Sequence, residues 1–233
     1  MNNSLRNEYL KAMGIQPWIR RGLQDEAGRH AAGSAPVVDA GQVDDLDWPA
    51  LAARVAGCTA CELHRTRTHT VFGTGDQQAD WLIIGEAPGA DEDRQGEPFV
   101  GPAGQLLTAM LQATGRQRSD VYITNILKCR PPQNRDPKPE EVACCHGFLQ
   151  RQIDLLQPKL ILAVGRIAAH NLLETTTPIG RLRGKVYHYG SQRIPLVVTY
   201  HPAYLLRTPV EKRKAWDDLR LAMQTSGLAR ETE

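Results

Sequence analysis

Four short apolar runs punctuate the chain, and between them apolar residues recur at helical spacing. Trp81–Ile84, Val121–Leu127, Leu160–Val164 and Ile194–Tyr200 are each the length of a buried strand. Trp48–Val55, Leu106–Thr114, Glu140–Leu156, the stretch opened by Gly165 and running through Leu173, and Trp216–Met223 read as helices. Pro139 and the carboxylates of Glu140 and Glu141 make a favourable helix start, since the free N–H groups and the positive dipole end lie there. Strands alternating with helices predict an α/β fold of three α/β/α layers, with a central, mostly parallel four-stranded sheet covered on both faces.

The pattern fades toward the N-terminus. Residues 46–227 carry the periodic elements, and residues 22–45 are rich in Ala, Gly and Asp without a period, which reads as a flexible linker. Ahead of the linker, residues 1–21 hold a short amphipathic segment, NEYLKAMGIQPWIRR. Ile15 and Trp18 are its apolar anchors, and a tethered apolar peptide of this kind suits a partner protein.

Composition changes the picture in two ways. A formal net charge of +2 rules out a bulk polycation, so any contact with nucleic acid must come from a local basic patch. The chain shows neither a signal peptide nor an apolar run long enough to span a bilayer, which points to the cytoplasm, with nucleoid association if DNA is the substrate. Five cysteines, an odd count, argue against a simple disulfide framework and turn attention to metal or cluster ligation. Cys58 and Cys61 form a two-ligand bite, Cys129 follows the second strand, and Cys144 and Cys145 lie early in the following helix. Four thiolates suit zinc or an iron–sulfur cluster. One pair joined to separated single cysteines suits a cubane cluster at least as well as zinc, and periodicity does not choose between Cys144 and Cys145.

The first strand ends at Gly85-Glu86-Ala87-Pro88-Gly89, a turn whose backbone N–H groups can face a ligand. The carboxylates of Asp91, Glu92 and Asp93 follow, and then a loop bearing Phe99. Asn125 closes the second strand and His201 follows the fourth. In open α/β sheets ligands bind at the carboxyl ends of strands. A carboxylate there can position water, an amide can read the polar edge of a nucleobase, an imidazole can donate to an oxyanion, and an aromatic ring can stack on a flat base. Lys128, Arg130 and Arg135, and also Arg181, Arg183 and Lys185, are candidate phosphate contacts.

GEAPGADEDRQGEPFVGPAG, TNILKCRPPQNRDPKPEEVACC and HPAYLLR, in that order, resemble the family-four, iron–sulfur uracil-DNA glycosylases. The resemblance covers roughly residues 51–223. It implies a 4Fe–4S cluster held by Cys58, Cys61, Cys129 and Cys145, with Cys144 spare, and excision of uracil from DNA without a redox step. It implies Glu86 to place the attacking water, Phe99 to stack on uracil, Asn125 to read its polar edge and His201 to stabilise charge at O2. The backbone at Gly85 and Ala87 would line the same pocket. Tyr204, Leu205 and Leu206 would push into the duplex as the base leaves, and the loop bearing Lys128, Arg130 and Arg135 would face DNA. Pro102 and Asp136 depart from the residues expected there, at positions concerned with DNA contact. The N-terminal YLKAMGIQPWIRRG resembles the start of the psi subunit of a replicative clamp loader, which implies a chi-subunit partner and an adaptor role as the alternative function.

Overall fold

The computed structural model describes residues 43–227, and the predicted partner peptide and most of the predicted linker lie outside them. Val43 is buried with Leu51, Val55 and Phe148, so the packed domain starts a few residues before the predicted boundary at 46.

The sheet has six strands rather than four, in the order β1-β3-β2-β4-β6-β5. The four predicted strands are its parallel centre: β2 (Trp81–Gly85), β3 (Tyr122–Asn125), β4 (Leu160–Val164) and β6 (Ile194–Thr199). The two additions are antiparallel edges, β1 (Thr74–Gly75) on β3 and β5 (Val186–Tyr189) on β6. β1 is two residues long, too short to leave a periodic signal, and β5 is half exposed and lacks the apolar run of the centre.

Successive residues of a strand face opposite layers, and the central strands are apolar on both sides. Leu82, Ile84, Ile161, Ala163, Leu196 and Val198 belong to one core cluster. It also holds Leu149, Ile153 and Leu156 of α4 (Pro139–Leu156), and Ala168, Ala169 and Leu172 of α5 (Arg166–Leu172). Trp81, Ile83, Leu160, Leu162, Val164 and Val197 belong to the other. There Leu107, Met110 and Leu111 come from α3 (Pro102–Ala113), and Ala215, Leu219 and Ala222 from α8 (Lys212–Thr225). The predicted three layers follow. α1 (Trp48–Ala56) is capped by Asp47, whose Oδ1 accepts the Ala50 N–H at 2.9 Å.

α3 begins four residues earlier than the apolar spacing shows, because Pro102 sits at its first turn with a preset φ. The carboxylate run after β2, to which the sequence assigned no element, forms the short helix α2 (Ala90–Gln95), stopped by Gly96 at a φ of 78°. Among the described residues no helix is long and apolar enough to cross a membrane.

Candidate active site

A cleft of about 750 Å³ opens at the carboxyl ends of the parallel strands. Glu86, Ala87, Phe99, Asn125, Arg135, His201 and Tyr204, all predicted, line it. Their convergence follows from register: Gly85 of β2 pairs with Asn125 of β3, and beyond the strands the Ile126 N–H donates to Gly85 O at 3.0 Å and the Leu127 N–H to Glu86 O at 3.1 Å. The turn after β2 is thereby locked to the turn after β3.

Gly85 lies beneath the cleft rather than on its wall. A Cβ there would stand 2.4 Å from Asn125 Oδ1 and 2.6 Å from the Phe99 ring, so the missing side chain is what lets the amide and the aromatic close over the strand end. Phe99 has a φ of 54°, a left-handed conformation that costs a bulky residue about 1–3 kcal/mol. Its surroundings enforce it. Arg118 donates to Phe99 O at 3.2 Å and to Pro98 O at 2.8 Å. Glu92 Oε1 accepts the next two N–H groups, of Val100 and Gly101, at 3.0 and 3.2 Å. A Cβ on Gly104 would lie 1.7 Å from Phe99 O, so α3 packs against this loop only through a glycine.

The other members of the carboxylate run are equally committed to structure. Glu92 Oε2 accepts the Gly89 N–H at 3.1 Å, Asp91 pairs with Arg94, and Asp93 Oδ1 accepts the Thr68 N–H at 2.9 Å. Of the carboxylates that line the cleft from this motif, Glu86 and Glu92, Glu86 is therefore the one left for chemistry. Burial, and then the charge of Asp136, push its pKa up to about 7, with Arg166 pulling the other way.

His201 caps α7 (Pro202–Arg207), its Nδ1 accepting the Ala203 N–H at 3.2 Å. With Nδ1 occupied as an acceptor, the neutral ring carries its proton on Nε2. Burial first, and then the charge of Arg207, lower its pKa to about 4, so the ring is a neutral Nε2–H donor near pH 7. Its ring stands 5.7 Å from that of Phe99, tilted by 30°. Gly165, at a φ of 97°, makes room for it, since a Cβ would lie 3.0 Å from that of His201.

Several predicted DNA contacts are relocated. Lys128 is only 1% exposed and its ammonium is fully engaged inside the protein, so it does not reach a phosphate. Leu205 is also 1% exposed and belongs to the core cluster under α3 and α8, which leaves Leu206, 45% exposed, as the apolar side chain of helix α7 on the surface. Arg130 donates to Asn134 Oδ1 at 2.7 Å. Arg135 lines the cleft, but both its terminal nitrogens bind Glu141, at 2.9 and 2.5 Å. That pair fastens the loop to α4, where Glu141 also caps Lys138 N at 2.9 Å. Arg183 is sunk in an ion pair with Asp218 at 2.7 Å and lies over the Tyr200 ring. Arg166 and Arg207 line the cleft and escaped the sequence reading. Arg166 pairs with Asp136 at 2.6 Å across exposed surface. No spacing rule identifies either, because each follows a strand end or helix whose direction only the fold supplies.

The cysteines gather behind the cleft. Cys58, Cys61, Cys129, Cys144 and Cys145 line one small cavity walled by Val55, Ala60 and Phe148. Cys129 and Cys145 are buried, and Arg67 donates to Cys129 Sγ at 3.1 Å. Cys144 is more exposed and its thiol donates to Ala60 O at 3.5 Å, the geometry of a protonated side chain. Burial raises Cys61 to about 11 and Cys145 to about 12, and neighbouring thiols add to both. Among the described residues no group of three or more His, Cys, Asp and Glu is arranged around a single metal ion. A set of soft donors around a shared cavity, with Arg67 against one of them, fits an anionic multi-atom cluster.

The profile of the uracil DNA glycosylase superfamily matches residues 72–220, which takes in the whole cleft. The chain belongs to this superfamily, in its type-4 group. It is 47% identical to the type-4 uracil-DNA glycosylase of Archaeoglobus fulgidus over 71% of this chain and 86% of that protein. Identity to the type-4 enzyme of Pyrobaculum aerophilum is 42%, over 76% of this chain and 93% of the relative. A type-5 uracil-DNA glycosylase of Thermus thermophilus is 36% identical over 44% of this chain.

Proposed function

We propose that this chain is a DNA N-glycosylase that hydrolyses the bond between uracil and deoxyribose in DNA and leaves an abasic site. The observation that carries the reading is the neutral His201, with Nδ1 held by a backbone N–H and Nε2–H left to donate, beside Phe99 and Asn125 in one cleft.

A base stacked in a duplex is out of reach of this cleft, so the nucleotide must be flipped into it. Phe99 stacks on the flipped ring, and the Asn125 amide, which donates and accepts, pairs with the polar edge of uracil. As the C1′–N1 bond breaks, its electron pair passes to the base and leaves positive charge on the sugar. His201 Nε2–H stabilises the negative charge at the uracil oxygen, a preorganised donor aimed where charge develops. Water held by Glu86 adds to C1′, and its proton passes to the carboxylate. Leu206, apolar and exposed, would enter the space the base leaves. Arg166 and Arg207 offer phosphate contacts at the mouth.

Cys58, Cys61, Cys129 and Cys145 are the residues that would hold a 4Fe–4S cluster, with Cys144 outside the set. When bound, the cluster would bind two separate segments to the start of α4 and so order the loop beside the cleft. The clamp-loader alternative rests on Ile15 and Trp18, which lie outside the described residues.

The test is anaerobically purified protein on an oligonucleotide with a single uracil, followed by alkali. Strand scission at the uracil, lost in Glu86→Gln and His201→Ala, is the expected result. No scission from folded, cluster-bearing protein overturns the proposal.

A further inference from the structure

Lys128 stands between the cysteines and the base-reading amide. Its side chain is buried, and its three ammonium protons have three acceptors: Thr124 Oγ1 at 2.6 Å, Gln152 Oε1 at 2.7 Å and Asn125 O at 2.8 Å. None of these is a carboxylate. The network continues through Gln152 Nε2, which donates to Phe72 O at 2.9 Å, and Thr124 Oγ1, which donates to the same carbonyl at 2.9 Å. A lysine brought into the interior for packing alone would be a costly choice, since an apolar side chain of similar length fills the space without desolvating a charge.

The third bond suggests its use. Asn125 O and the Ile126 N–H belong to one planar peptide unit. Lys128 Nζ holds the oxygen, while Gly85 O holds the N–H at 3.0 Å. Pinned at both ends, that plane fixes the direction in which the Asn125 side chain leaves the backbone. Meanwhile Lys128 lines the cysteine cavity together with Cys145, and Cys129 is the next residue. One residue therefore borders the cysteine cavity and, through its side chain, holds the backbone of the base-reading residue.

We propose that Lys128 is a positioning residue for uracil recognition, which fixes the Asn125 peptide plane and ties its geometry to the four-cysteine site. This rests on the reading of the cleft as a uracil pocket, and it gives the cysteines an effect on recognition with no electron transfer.

The decisive variant is Lys128→Met, which keeps the length and removes the donors. Uracil affinity, measured by calorimetry with the free base, should weaken by about 10–100-fold, the range typical when a supporting hydrogen bond behind a functional group is lost. The KM for uracil-bearing oligonucleotide should rise in step. Anisotropy titration with uracil-free DNA should change by less than about twofold, and the cluster absorbance should remain. Loss of affinity for uracil-free DNA with free-uracil affinity intact would restore Lys128 as a phosphate contact and overturn the inference. Unchanged uracil affinity in folded protein would reduce it to a packing residue. If Lys128→Met does not fold, Gln152→Met carries the test: it removes one acceptor far from the cleft, and uracil affinity equal to wild type overturns the proposal. Wild-type protein that neither binds uracil nor cleaves the oligonucleotide would instead refute the function itself.

Discussion

The cleft and the cysteine site lie side by side, yet they are built on opposite principles. In the cleft three of the groups are held by hydrogen bonds around them: Nδ1 of His201 by the Ala203 N–H, the backbone at Phe99 by the Arg118 and Glu92 side chains, and the peptide plane of Asn125 by Lys128. Its geometry is complete within the polypeptide. The cysteines are fixed in place but not in charge. Burial raises Cys61 and Cys145, and each nearby thiol makes the others harder to ionise. Preorganisation thus serves the site that must meet a developing charge, whereas the thiols would lose their protons only on ligating metal.

The largest expected effect comes from breaking the cysteine site. Cys129→Ser should abolish the brown cluster absorbance and lower the yield of folded protein, because ligand binding and folding are coupled in such sites. Absorbance spectra and a thermal melt would check it. If folding is unaffected, the cysteines do not staple the loop.

Next comes a change in the complete site that leaves its chemistry untouched. Gly85→Ala places a methyl 2.4 Å from Asn125 Oδ1 and against Phe99, so both must shift. Displacement of positioned groups by about 1 Å costs on the order of 100-fold. Single-turnover excision should fall by that order while the melting temperature changes little.

The pH dependence sharpens the contrast further. Glu86, raised to about 7, must be ionised to hold and accept a proton from water, so excision should be lost as pH falls through 7. Single-site titration predicts a rate roughly tenfold below the plateau at about pH 6 and roughly 100-fold below at about pH 5. His201, lowered to about 4, stays a neutral donor across that range and adds no second limb. A rate profile that is flat between those values would remove Glu86 from the base role.

The smallest effect is expected at the rim. Asp136→Asn breaks an exposed pair with Arg166, worth about 0–1 kcal/mol, so stability should barely move. Freed Arg166 should tighten DNA binding modestly at low salt, and loss of one nearby negative charge should lower the Glu86 limb slightly. Salt-dependent binding isotherms would show the first.

Much of this was legible along the chain. The four apolar runs marked the parallel centre of the sheet because a strand covered on both faces carries no polar alternation. Glu86, Asn125 and His201 could be read as neighbours since strand ends of a parallel sheet share one edge, and Phe99 followed from the aromatic in the adjoining loop. The edge strands were not legible: Thr74–Gly75 is too short and Val186–Tyr189 too exposed to differ from loop. The basic residues were the least legible. Lys128, Arg135 and Arg183 look alike in sequence, yet one is buried, one is clamped to a carboxylate and one lies over a tyrosine ring. Charge shows in the sequence, but its partner does not.

The sequence by itself determined the alternating α/β architecture and the strand-end residues, since these follow from local period and spacing, whereas the choice of four cysteines came only from the resemblance of its motifs. Tertiary structure alone decided which histidine nitrogen donates, which carboxylate stays free, which leucine is exposed and that Lys128 faces inward. Those outcomes turn on distances between segments far apart in the chain, where burial and hydrogen-bond partners are set only once the sheet has formed.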